Sequence, residues 1–255
     1  PADAAADGAV DWFVDGRKLG RETLAHLGNG VRVRPVPEFG PALDALDGRK
    51  VHTPARNELR VPARALADAV RDEWESQTDQ VNPAGMPMMR FTATALDRVG
   101  SNRDEVVSEI AGYGASDLLC YRAASPADLV ARQQATWQPL LEWAGAEFGA
   151  HLKATEGVMP VAQKDAALAA LRAAAAHCDD LVLSGLHGVT VATGSVVIGL
   201  AVVHGRLDGA AAWHAAQIDE TYQTEKWGED AEAAVRRDNL RATVDDAARF
   251  LRLCA

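Results

Sequence analysis

Leu181–Gly205 reads LVLSGLHGVTVATGSVVIGLAVVHG, 25 residues without one Asp, Glu, Lys or Arg, and the way this run is housed decides the fold of the second half of the chain. More than about 18 uncharged residues are nominally enough to cross a bilayer. The composition points elsewhere. His187 and His204, the hydroxyls of Ser184, Thr190, Thr193 and Ser195, and five glycines dilute the run well below a Leu/Ile/Phe-rich insertion segment. Asp179, Asp180 and Asp208 flank it, with Arg206 the nearby cation, so no positive cluster would orient it in a membrane. Val189–Val203 is rich in β-branched residues, which by propensity favour a strand. Length without a turn signal favours helix instead, so the expectation is one fully buried central helix and no membrane insertion.

Working outward, helix signals surround this run. Phe91–Val99 is followed by Ser101 or Asn102 capping Asp104–Ala111, and Ser125-Pro126 reads as a cap and first helical position. Pro139 is expected to break or kink the helix containing Trp137, and Gly149 to end it. Gln163–His177 is an Ala/Leu helix, Asp208 caps a helix running towards Gly228, and Glu229–Leu253 completes a bundle around the buried helix. The first eighty residues read differently. Asp15-Gly16 and Asp47-Gly48 are hairpin signals, while Val31–Arg34 and Leu59–Val61 alternate like half-buried strands. Pro62 then opens a helix whose Leu66, Val70 and Trp74 recur at fourfold spacing and face a core. Gln80–Met89 (QVNPAGMPMM) admits no regular element and marks a boundary. The class is therefore α+β. A small mixed α/β N-terminal domain of short strands with one or two helices (1–80) precedes a larger all-α bundle (81–255).

With 36 acids against 26 bases the net charge is −10, which opposes binding to nucleic acid or anionic lipid. Cys120, Cys178 and Cys254 are odd in number and widely spaced, so they make neither a disulfide framework nor a zinc knuckle, and a reducing compartment fits. PADAAADG at the start is acidic and lacks the apolar core of a secretory signal. No phosphate-binding Gly-rich loop, His-x-x-x-His pair or Gly-x-Ser-x-Gly elbow occurs, so no catalytic residue, metal site or cofactor is expected. His177-Cys178-Asp179-Asp180 is read as a helix end with acidic residues.

Four blocks in order go further: Asp47–Gln77 (DGRKVHTPARNELRVPARALADAVRDEWESQ), Met86–Val99 (MPMMRFTATALDRV), Asp117–Trp143 (DLLCYRAASPADLVARQQATWQPLLEW) and Asp219–Asp230 (DETYQTEKWGED). Together they resemble the ATP12 family, assembly chaperones of the F1 sector of ATP synthase, over roughly residues 45–255. The resemblance implies a mixed N-terminal domain joined to an orthogonal helical bundle. It implies binding of the free F1 α subunit, which is kept soluble until it meets β, and it implies no cofactor. Client-contact candidates are Asp219, Glu220, Glu225 and Trp227. Glu220, Thr224 and Trp227 fall on one helical face, and Asp219, Tyr222 and Lys226 on an adjacent one. Trp74, Arg90 and Asp97 also match the family, Trp74 as core and Arg90 with Asp97 as a polar tie between domains. The free protein is expected to be a monomer in the bacterial cytoplasm, or alternatively in the mitochondrial matrix. The rival reading is a small-molecule enzyme with its site in a groove between the domains.

Overall fold

The computed structural model describes residues 51–78, 81–157 and 159–255 in full, and the backbone of short strands at 13–14, 17–18, 31–36 and 40–46. It divides into two compact units, Pro1–Ser101 with Leu253–Ala255, and Asn102–Arg252. In the first unit β1 (Phe13–Val14) pairs antiparallel with β2 (Arg17–Lys18) and with β5 (Val51–His52), while β3 (Val31–Val36) pairs with β4 (Gly40–Leu46). The Asp15-Gly16 dipeptide lies outside the described residues, and the Val14–Arg17 pair flanks it as a two-residue hairpin requires. Asp47-Gly48 likewise lies outside the described residues; β4 and β5 on either side of it belong to different ladders.

Helix α1 (Arg64–Glu75) buries Leu66, Ala67, Val70 and Trp74, the stripe that fourfold spacing predicts. Glu73 is buried among them, and its two carboxylate oxygens accept the N–H groups of Met88 and Met89, both at 2.8 Å. These are orphan donors of helix α2 (Pro87–Thr94), which has Pro87 at its first position and no side-chain cap from its own N-terminus. A π-helical turn, Ala95–Val99, continues α2. Asp97 on that turn accepts the Thr53 hydroxyl, the Ala55 N–H at 3.0 Å and the Asn57 side-chain amide at 2.9 Å. These two carboxylates bind residues 81–101 to the first unit. The division accordingly falls between Ser101 and Asn102, beyond the 80/81 break suggested by the proline-rich segment.

The second unit holds α3 (Arg103–Gly112), α4 (Ala127–Phe148), α5 (Asp165–Ala176), α6 (Asp180–Thr193), α7 (Val196–Val203), α8 (Gly209–Ala216), α9 (Ile218–Trp227) and α10 (Ala231–Cys254). Two short strands, β6 (Tyr121–Arg122) and β7 (Thr155–Glu156), pair in parallel. The uncharged run is thus two helices, not the single central one expected. Gly194 ends α6 in the left-handed region at φ 69°, where a side chain is strained, and the Ser195 hydroxyl accepts the Ile198 N–H at 3.1 Å to start α7. The Ser195 hydroxyl in turn donates to Asp117 at 2.8 Å, and the fully buried Asp117 carboxylate also accepts Leu119 N–H at 3.0 Å and Val197 N–H at 3.2 Å. Helix α7 is apolar all round and buried from Val196 to Val202. Gly199 lets it approach α6: a β-carbon there would stand 2.6 Å from Thr190 Oγ1 and 2.8 Å from Leu186 Cδ1.

Helix α4 continues through Pro139, so of the two expected effects the break does not occur. Trp137, fully buried, donates its indole N–H to the Ala215 carbonyl at 2.7 Å, and Leu140 and Leu141 bury beside it, so packing holds the helix through the one lost hydrogen bond. The helix capped by Asp208 stops at Gln217 and restarts as α9. Among the described residues no helix is long and apolar enough to cross a membrane.

Candidate functional site

Helix α9 is amphipathic in an unusual sense: its inner face is polar and its outer face ends in an aromatic. Ile218 and Tyr222 are buried. The Tyr222 hydroxyl reaches Asp128 on α4 at 2.9 Å and 3.0 Å, Lys226 stands 3.5 Å from the same carboxylate, and Asp219 accepts the Gln133 side-chain amide at 2.6 Å. Gln133 is buried and its carbonyl also accepts the Ala123 N–H at 2.8 Å, so it is fixed from both ends. The Tyr222 hydroxyl, with Lys226 behind it, holds the Asp128 carboxyl below its ordinary range. Desolvation, and then Asp128 itself, raise the Tyr222 hydroxyl above its own. The face carrying Asp219, Tyr222 and Lys226 is therefore the packing face of α9.

The other face looks outward. Glu220 is exposed, Thr224 is half-buried, and Trp227 at the end of the helix is 78 % exposed. A large aromatic so open is uncommon on a chain whose apolar residues have a core to enter. Val235, on the first turns of α10, is 62 % exposed. Arg237 of α10 fastens the two helices, giving its guanidinium to Gln217 Oε1 at 3.1 Å, Thr221 Oγ1 at 3.2 Å, Thr224 Oγ1 at 3.3 Å and Glu229 Oε1 at 2.9 Å. Gly228 ends α9 at φ 86°.

Of the four client-contact candidates, Glu220 and Trp227 project to solvent, while Asp219 is turned inward to Gln133. Glu225 is exposed and pairs with Arg132 of α4 at 2.8 Å, each side chain still about half open to water. Arg132 also lies over the Tyr222 ring, 5.3 Å from its centroid. Asp128 and Arg132 were not among the sequence candidates. Their spacing of four along α4 is the only local signal, and the helix they face is over eighty residues away. The three remaining family-motif residues lie in the first unit. Trp74 is buried in α1. Arg90 is exposed, its guanidinium 5.9 Å from the Phe91 ring centroid. Asp97 binds Thr53, Ala55 and Asn57, joining the segment after residue 80 to residues before it, all within the first unit.

The family described as ATP12 chaperone protein matches residues 40–145. Three solved structures are similar. Atp12 from Paracoccus denitrificans is 38 % identical, with a TM-score of 0.84 over 89 % of this chain and 97 % of that one. An aspartate-to-lysine mutant of the same Paracoccus protein is 37 % identical with a TM-score of 0.84, over 89 % of this chain and 96 % of the other. A candidate chaperone from Agrobacterium tumefaciens is 41 % identical with a TM-score of 0.79, over 86 % of this chain and 82 % of its own.

Proposed function

The chain belongs to the ATP12 chaperone family, and on that premise we propose that it binds the unassembled α subunit of F1-ATPase through the outward face of α9 and the start of α10. The observation that carries this reading is Trp227, 78 % exposed at the end of a helix whose other face is locked to α4 through Tyr222 and Asp219. An unassembled α subunit presents apolar surface that β will later cover, and such surface aggregates while it is open. A Trp is well suited to cover it: it offers a large rigid area with few rotors to freeze, and such residues dominate interface energetics. Glu220 and Glu225 beside it would select a basic rim on the client and set orientation. Release needs no hydrolysis. The contact must be weaker than the α–β interface, so exchange is driven by the larger burial in the assembled ring. A bacterial cytoplasmic site of action and a monomeric free state fit this role.

The test is co-purification with separately expressed F1 α and β subunits. Capture of α alone, lost on Trp227→Ala and on Glu225→Lys in chains that keep their circular dichroism, is the expected result. Equal capture by the variants would remove α9 from the interface, and capture of neither subunit would end the α-subunit reading.

A further inference from the structure

Away from α9, a cavity of about 220 Å³ opens between α4 and the β6–β7 ladder, lined by Arg122, Val130, Gln134, Gln138, Thr155 and Glu156 with two alanines. Arg122 is the anomaly in its wall. It is 8 % exposed, and among the described residues it has no carboxylate partner within ion-pair distance. Its Nε–H donates to the Leu119 carbonyl at 2.9 Å and its Nη1 to Gln134 Oε1 at 3.1 Å, while Nη2 is buried with no acceptor. The indole of Trp137 lies under the guanidinium, 5.5 Å from ring centroid to Cζ. A buried donor without an acceptor is unfavourable, and a buried cation without a counter-ion more so. Desolvation accordingly draws the Arg122 guanidinium down from its ordinary value.

The position is built rather than accidental. Tyr121 and Arg122 pair with Thr155 and Glu156, and Gly157 N–H closes on the Arg122 carbonyl at 2.8 Å. The backbone that carries Arg122 is thereby pinned against the cavity. Gln134 Oε1 accepts from Arg122, and its amide N–H₂ adds a donor to the same lining. Thr155 supplies a hydroxyl, and Val130, Ala123 and Ala154 supply an apolar remainder. The buried cation has no counter-ion, the rest of the lining mixes Val130 and two alanines with Gln138, Thr155 and the exposed Glu156, and the volume suits one small group rather than a nucleotide or a cofactor.

The geometry points to a binding site for a carboxylate on a short apolar stem, with Arg122 as counter-ion and Gln134 and Thr155 as flanking donors. The same chemistry has two sources: a free small organic acid, or an acidic side chain or C-terminal carboxyl of a client polypeptide. Only the second source rests on the chaperone reading above. Glu156, exposed at the rim, opposes an incoming carboxylate and tunes the affinity downward.

The full chain, labelled with ¹⁵N, is titrated with propionate and with glutarate while the Arg122 Nε–H, Gln134 side-chain amide and Thr155 backbone N–H resonances are followed, sodium chloride serving as the ionic control. A saturable shift that chloride does not reproduce is expected. In Arg122→Gln the Gln134 and Thr155 shifts should vanish, and in Glu156→Gln, from which one repulsive charge has been removed, binding should tighten about threefold. Should Arg122→Gln fail to fold, Thr155→Val leaves the arginine in place and should weaken binding about fivefold by losing one hydrogen bond. An Arg122 resonance that no acid moves, or that chloride moves equally, overturns the proposal. Glutarate that displaces captured α subunit identifies the carboxylate as the client's. Glutarate that binds without displacing it identifies a free acid. Failure of the α-subunit reading leaves the titration intact, so the two are separable.

Discussion

The carboxyl of Asp117 sits at the break between α6 and α7, and replacing it with asparagine isolates the effect of burying a charge there. The Ser195 hydroxyl and the N–H groups of Leu119, Val197 and Val196 favour its ionised form. Complete burial opposes ionisation and outweighs them, so the pKa rises from 3.8 to about 6. The unfolded chain releases this proton near pH 4 and the folded one near pH 6, so folding gains its full benefit from this group below pH 4 and loses it as pH rises through 6. A rise of that size corresponds to about 3 kcal/mol. Asp117→Asn cannot titrate. Urea unfolding of both proteins at pH 4, 5, 6 and 7 should therefore give a stability difference, native minus variant, that falls by about 2 kcal/mol across the range, other titrating groups cancelling in the subtraction. A difference that stays flat or climbs with pH would refute the reasoning. It would mean that the donors prevail and that the folded carboxyl ionises more easily than the unfolded one.

Glu73→Ala strips the acceptor from two buried N–H groups of α2 and should lower stability by about 3 kcal/mol, read as a shifted urea midpoint; an unchanged midpoint would show that water replaces the carboxylate. Gly199→Ala places a methyl 2.6 Å from Thr190 Oγ1 and should cost about 1–3 kcal/mol, seen as a lower Tm in calorimetry. Tyr222→Phe removes the hydroxyl that Asp128 accepts and should cost about 1 kcal/mol, with faster amide exchange along α9. Trp227→Ala alters an exposed group and should shift stability by no more than about 0.5 kcal/mol, while Glu225→Lys also breaks the half-exposed pair with Arg132 and should cost about 1 kcal/mol; both should keep the folded circular dichroism and lose client capture.

The stripe Leu66, Val70, Trp74, the left-handed stop at Gly149 and the cap at Asp208 were all legible, because each is decided by residues within a turn of one another. The two-helix nature of the uncharged run was also written locally, in Gly194-Ser195, and a length argument passed over it. That Pro139 does not break α4 has the opposite reason. Its own hydrogen bond is lost, yet Trp137 bonds a carbonyl nearly eighty residues away, and no local rule contains that contact. The same limit applied to residues 81–101, held to the first unit by Glu73 and Asp97 from outside their own segment. On α9, helical spacing separated Glu220, Thr224 and Trp227 from Asp219, Tyr222 and Lys226. Which set faces water was settled only by Asp128, Arg132 and Gln133 of α4, whose partners lie beyond the reach of any periodicity.

Trp227 has an optical consequence. Trp74 and Trp137 are buried and Trp143 and Trp213 partly so, which leaves Trp227 as the open indole among the described residues. Its emission belongs to the red edge of the chain's fluorescence and is the fraction that a collisional quencher such as iodide reaches first. Anything that settles on the end of α9 shifts that fraction to the blue and shields it, without a label and without disturbing the interior chromophores. The residue proposed to hold the client also carries a native gauge of occupancy.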